Sequence, residues 1–143
     1  MLSHTTQLRV RYTDTDKMQF VYNGKYLEYF EVGRTELLRK INLPYREVEE
    51  QGYQLPLLEA GLKYVNAARY DDLLNITASI DQIDTAKIEI NYEVRRHSNN
   101  DLIAKGFTHH VFMLAGKEKA TRPPKFYIEK LKPYFEIKSG QEK

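Results

Sequence analysis

Two aspartates one residue apart, Asp14 and Asp16 in the stretch YTDTDKMQFVYNGKY, stand where a strand-like pattern ends and a helical one begins. An acidic pair there has several chemical readings: an Asx-turn or cap, a metal site, a general base or a nucleophile. The metal reading is weak. A calcium loop opening on Asp14 would need an oxygen ligand at its fifth position and glycine at its sixth, where this chain has Met18 and Gln19. Adjacent His109 and His110 cannot chelate one ion together, because neighbours on a strand point to opposite faces. One of them is predicted to pack and the other to meet water. No G-x-S-x-G elbow, phosphate-binding G-x-x-x-x-G-K-[ST] loop or G-x-G-x-x-G fingerprint occurs, and there is no cysteine to act as a nucleophile.

Asp16 feeds a predicted helix N-terminus, where free backbone N–H groups and the helix dipole favour negative charge. Such a place can hold an oxyanion. A carboxylate beside it can serve as base or nucleophile toward an acyl carbon whose oxygen those N–H groups polarise. An Asx-turn made by Asp14 and Asp16 accounts for the same residues without any chemistry.

The surrounding elements follow from periodicity. Leu8, Val10 and Tyr12 alternate with Gln7, Arg9 and Arg11, the pattern of a first strand with one buried face. From Asn23 to about Ile41 the period becomes helical, with Tyr26, Leu27, Phe30, Leu37, Leu38 and Ile41 on one face. Gly33 inside this helix predicts very close packing by another element. Pro44 suits the first position of a second, short helix ending near Gly52. Beyond Pro56 four strands are expected: the segment after Pro56, Leu74 to Asp81, Lys87 to Arg95, and one long run from Leu102 to Leu114. Turns are predicted at Arg69 to Asp72, Asp84 to Ala86 and Ser98 to Asp101, and a terminal helix near Phe126 to Phe135. Such short connections make neighbouring strands antiparallel. The expected fold is α+β, a curved antiparallel sheet around one long helix.

At 143 residues the chain fits one domain, spanning 1–136 with a polar, flexible tail at 137–143. Apolar residues are 41%, charged residues 29% and the formal net charge +2, with Lys and Arg dispersed, so neither nucleic acid nor a membrane surface is an expected partner. Without cysteine, without an apolar leader pattern in MLSHTTQLRVRY and without a run of eighteen apolar residues, the expected location is the cytoplasm. The sheet face turned away from the helix needs cover in so small a chain, which predicts an oligomer.

Several segments together resemble the hotdog-fold acyl-CoA thioesterases of the 4-hydroxybenzoyl-CoA thioesterase type. These are Asp14-Thr15-Asp16, Val21-Tyr22, Lys25-Tyr26, and Phe30-Glu31 with Arg34 and Glu36, then Ala68-Arg69-Tyr70-Asp71-Asp72-Leu73 at a corner and His110-Val111-Phe112 on a late strand. The resemblance covers nearly the whole chain. It implies hydrolysis of an acyl-CoA thioester to a carboxylic acid and coenzyme A. Asp16 would be the catalytic carboxylate and the backbone N–H of Asn23 the donor to the thioester carbonyl. It also implies no metal or redox cofactor, and dimers joined edge to edge, often paired as tetramers, with shared sites. Tyr22, Gln19, Tyr26, Glu31 and Glu59 are further candidates for substrate contact, although Glu31 and Arg34 can simply pair along the helix and the tyrosines can be core aromatics. Asp71 and Asp72 are expected to fix the corner.

Three positions depart from the resemblance. Gln19 stands where many such proteins have glycine, Asn23 where many have histidine, and Asp84-Thr85-Ala86 where some place basic residues toward the coenzyme A phosphates. Lys87, Arg95, Arg96, Lys117, Lys119 and Arg122 remain available for that contact. The Gln19 departure sustains an alternative, a protein that binds an acyl thioester without hydrolysing it. A purely structural role in an assembly is a third.

Overall fold

The computed structural model describes residues 1–135, so the tail expected at 137–143 lies outside the described residues. Five antiparallel strands form the main sheet in the order β1-β4-β5-β6-β3: β1 Leu2–Arg9, β3 Leu57–Tyr64, β4 Leu73–Ile80, β5 Ile88–Arg96 and β6 Leu102–His110. These are the first strand and the four later ones that alternation predicts. A small second sheet, β2-β7-β8, joins Tyr53–Gln54, Phe112–Leu114 and Ala120–Thr121. The run expected as one strand from Leu102 to Leu114 therefore breaks at Val111, and its end leaves for the small sheet.

The longest helix is α1, Lys25–Lys40, followed by α2, Tyr45–Glu50, and α3, Lys125–Leu131, with residues 133–135 again helical. Pro44 is the N-cap of α2 rather than its first residue. Helix α1 packs on β1, β4 and β5. Gly33 makes the approach possible: a Cβ there would come within 2.9 Å of Ile76 Cγ2 on β4. Phe30 stacks on Tyr92 of β5 with centroids 4.3 Å apart, and Ile76, Ala78, Ile90, Tyr92 and Val94 complete the inner face. Each fully buried apolar side chain in this layer is worth roughly 1.5 to 3 kcal/mol relative to exposure.

Three expectations are corrected. The first strand begins at Leu2 and ends at Arg9, and Tyr12, expected inside, is 76% exposed at the start of a 3-10 turn. Local side-chain hydrogen bonds to the backbone win there, since Asp14 accepts the Arg11 N–H and closes the turn. Leu27 is 42% exposed, while Tyr29 takes the buried place on that helix. The outer face of the sheet is polar. Thr5, Thr77, Asn75, Asn91 and Glu93 lie there, and Thr5 and Thr77 join across strands at 2.8 Å. A wet face needs no covering subunit, so the argument for an oligomer from an uncovered apolar face fails. The sheet's edge strands are β1 and β3, and along β3 Leu57, Leu58 and Tyr64 are exposed.

Candidate active site

The two aspartates sit in opposite environments. Asp14 is 2% exposed, and its Oδ2 accepts from the Tyr29 hydroxyl at 2.9 Å and the Arg11 N–H at 3.1 Å. Its Oδ1 faces Arg11 Nη2 at 3.3 Å and Lys25 Nζ at 3.5 Å. Burial pushes this carboxyl's pKa up, but the Arg11 N–H, the Tyr29 hydroxyl and the two cations together outweigh burial and hold it below the ordinary value. Tyr29 is driven up by burial and by Asp14, so it remains a donor.

Asp16 lies two residues on, in a tight loop closed by the Thr15–Val21 bridge. Its Oδ1 accepts from the Met18 N–H at 2.9 Å and the Phe20 N–H at 3.3 Å, so the Asx-turn anticipated from sequence is present. Its Oδ2 has no partner among the described residues. Turn and chemistry are thus compatible: one oxygen orients the carboxylate and the other is left over.

Gln19 adopts φ +68° in this loop, the left-handed region that glycine enters most easily. Its own N–H donates to the Asp16 carbonyl at 2.9 Å. Gln19 therefore follows the path a glycine would take, and its side chain is exposed.

The far side of the loop leads straight into α1. Tyr22 donates its N–H to the Asp14 carbonyl, and its carbonyl accepts from Lys25, both at 2.9 Å. Between them the Asn23 N–H has no acceptor among the described residues, as an orphan donor at a helix start should. The Tyr64 hydroxyl donates to the Asn23 carbonyl at 3.0 Å and fixes that peptide. Phe20, Val21, Asn23, Tyr26 and Tyr64 line a cleft of about 250 Å³. Tyr26 is buried beneath it, and burial pushes its pKa up to about 12.

The corner at 67–72 anchors this assembly from across the fold. Val21 donates its N–H to the Ala68 carbonyl at 2.9 Å, Phe20 bridges to Arg69, and the Arg69 guanidinium carbon sits 4.5 Å from the Phe20 ring centroid. Asp72 accepts from the Arg69 N–H and from Arg96 Nε, so it fixes the corner as expected.

Asp16, Gln19, Tyr22, Asn23 and Tyr26 are thus gathered at the start of α1, while Glu31 and Glu59 stand elsewhere within the chain. Glu31 makes no ion pair with Arg34; both line a separate cavity. Glu59 is on the outer face, where His109 lies between Glu59 at 3.2 Å and Glu89 at 2.7 Å. His110 points inward and is buried as one of the pair was expected to be, while His109 faces the other way but is only 16% exposed rather than solvated. Of the basic residues set aside for phosphate, Arg95, Arg96 and Arg122 already pair with Glu93, Asp72 and Asp84. Sequence reasoning missed Tyr64, whose partner is 41 positions away, and no local pattern signals it. Among the described residues no group of three or more His, Asp or Glu could hold a metal ion, and no helix is long and apolar enough to cross a membrane.

Residues 10–131 match the Thioesterase-like superfamily, and the chain belongs to this family of hotdog-fold thioesterases. Acyl-CoA thioesterase YbgC of Haemophilus influenzae is 33% identical over 119 residues, covering 82% of this chain and 86% of its own. A 1,4-dihydroxy-2-naphthoyl-CoA hydrolase of Synechocystis is 26% identical over 125 residues, 86% of this chain and 91% of that one. The structure of 4-hydroxybenzoyl-CoA thioesterase from Pseudomonas sp. strain CBS-3 is similar with a TM-score of 0.81 and 25% identity, covering 91% of this chain and 99% of its own.

Proposed function

We propose that this protein is an acyl-CoA thioesterase, hydrolysing the thioester to a carboxylic acid and coenzyme A with Asp16 as general base or nucleophile. The observation that carries it is the pairing of a carboxylate oriented through Oδ1 with an Asn23 N–H at the start of α1, Oδ2 and that N–H both lacking a partner among the described residues. The N–H polarises the thioester carbonyl, the helix dipole favours the developing oxyanion, and Asp16 attacks the carbon or deprotonates the water that does. Tyr22 and Tyr26 bound the substrate, and no metal or redox group takes part. Gln19 keeps a glycine-like backbone with its side chain exposed, which favours the enzyme over a binder that does not turn over.

The open β3 edge supports assembly into dimers or tetramers through paired edges, and the lack of cysteine supports a cytoplasmic location. Thiol release measured across aryl and aliphatic acyl-CoAs of graded length tests the proposal. Turnover of at least one substrate is expected. Binding of acyl-CoA without thiol release from any would establish the non-catalytic alternative.

A further inference from the structure

A second cavity, of about 340 Å³, opens between α1, α2 and the chain entering β3. Leu38, Tyr45 and Leu55 give it apolar walls, His110 borders it from the end of β6, and Glu31 and Arg34 supply charge. At 1.5 Å rise per residue, Arg34 lies about 15 Å along α1 from Gly24, so this cavity is removed from the Asn23 N–H.

Arg34 is half-buried, yet no carboxylate lies within ion-pair distance of it among the described residues. Glu31, one helical turn earlier and exposed, pairs with no cation among the described residues either. A charge withdrawn from water is ordinarily paired. The Tyr92 hydroxyl and the His110 ring both feel the guanidinium, and neither carries negative charge. His110 Nδ1 faces the Leu55 carbonyl at 3.4 Å, an oxygen that can only accept, so the ring proton resides on Nδ1. His110 Nε2 then accepts from the Thr108 hydroxyl at 2.9 Å, and Thr108 accepts from the Tyr92 hydroxyl at 2.6 Å. Burial, then the nearby Arg34 charge, pushes the His110 pKa down to about 4, so the ring is neutral at ordinary pH. Every donor in this chain points away from Arg34. The guanidinium can donate to the Tyr92 oxygen, but no carboxylate of the described residues is within ion-pair distance.

We infer that this cavity binds the carboxylate of a small organic monoacid, with Arg34 as its anchor and Leu38, Tyr45 and Leu55 against its apolar body. The guanidinium fork matches a carboxylate in two parallel hydrogen bonds. Glu31 at the rim repels a second carboxylate and so selects monoacids over diacids. The inference stands apart from the role of Asp16.

Benzoate titrated into the isotopically labelled protein and followed by NMR is the test, with benzyl alcohol as neutral analogue and adipate as diacid. Saturable benzoate binding is expected, with shifts centred on the Arg34 side-chain N–H and the His110 ring. Benzyl alcohol and adipate should bind at least about tenfold more weakly, the scale of a lost charge-assisted hydrogen bond. Arg34→Met should abolish saturation, Arg34→Lys should weaken it about tenfold by removing the fork, and Glu31→Gln should narrow the gap between benzoate and adipate. If Arg34→Met does not fold, Arg34→Lys and the neutral analogue still decide. The inference is overturned if the parent shows no saturable binding, if the shifts fall on Asn23 and its neighbours alone, if benzyl alcohol matches benzoate, or if folded Arg34→Met or Arg34→Lys binds as the parent does.

Discussion

Asp14 and Asp16 are the same residue type two positions apart, and the fold treats them oppositely. Asp14 spends both oxygens on Arg11, Tyr29 and Lys25 and is sealed from water. Asp16 spends one oxygen on two backbone N–H groups and keeps the other. The contrast separates two uses of a carboxylate: a saturated one fixes the turn, and the one beside it, with one oxygen unpartnered among the described residues, is held by that turn.

The contrast breaks most visibly in activity. Asp16→Asn preserves an oxygen for the Met18 and Phe20 N–H groups, so the fold should survive while thiol release falls by at least about a hundredfold, the scale of a lost general base. Unchanged turnover would return Asp16 to the role of a turn residue. Asp14→Ala should reverse the pattern. It strands a buried Tyr29 hydroxyl and the Arg11 N–H and should cost about 3 kcal/mol in urea unfolding. Asp16→Asn should cost less than about 1 kcal/mol by the same measurement.

Acid sharpens the comparison, because His110, like Asp14, is wholly used by the fold. Its folded pKa of about 4 lies below the ordinary 6.5. Between those values the unfolded chain takes a proton that the folded one refuses, so stability is intact above pH 6.5 and falls as pH drops through the window. The loss should reach about 2 kcal/mol at pH 5, and His110→Gln should flatten that slope in urea midpoints measured between pH 7 and 5. Asp14 adds a further loss at lower pH, since a carboxyl held below its ordinary value gives up its contribution as pH falls through its folded pKa.

The smallest effect is expected at Gln19. Glycine there would relieve a left-handed backbone worth about 1 to 2 kcal/mol for a residue with a Cβ, while adding unfolded-state entropy that offsets most of it. Gln19→Gly should shift stability by under about 1 kcal/mol and leave thiol release near the parent's. A large gain in turnover for bulky acyl groups would show instead that the Gln19 side chain crowds the substrate.

The sequence by itself determined which residues share a face. Period two marked β4, β5 and the polar outer surface of the sheet, period 3.6 marked α1, and Gly33 marked the close approach to Ile76. The alternation of Asn75, Thr77 and Ser79 with Leu74, Ile76 and Ala78 already carried the correction to the expected apolar cover. The Asp-x-Asp spacing located the candidate site, because a carboxylate ahead of a helix start is a local arrangement. Only the tertiary structure decided which aspartate is buried, since that depends on Tyr29 a full helix entry away, and on Lys25 beside it. It alone supplied Tyr64 to the Asn23 carbonyl, Arg69 to Phe20, and Arg34 to a cavity where no carboxylate of the described residues lies within ion-pair distance of it. Periodicity is written into neighbouring residues, whereas a hydrogen-bond partner 41 positions away exists only once the chain has closed on itself.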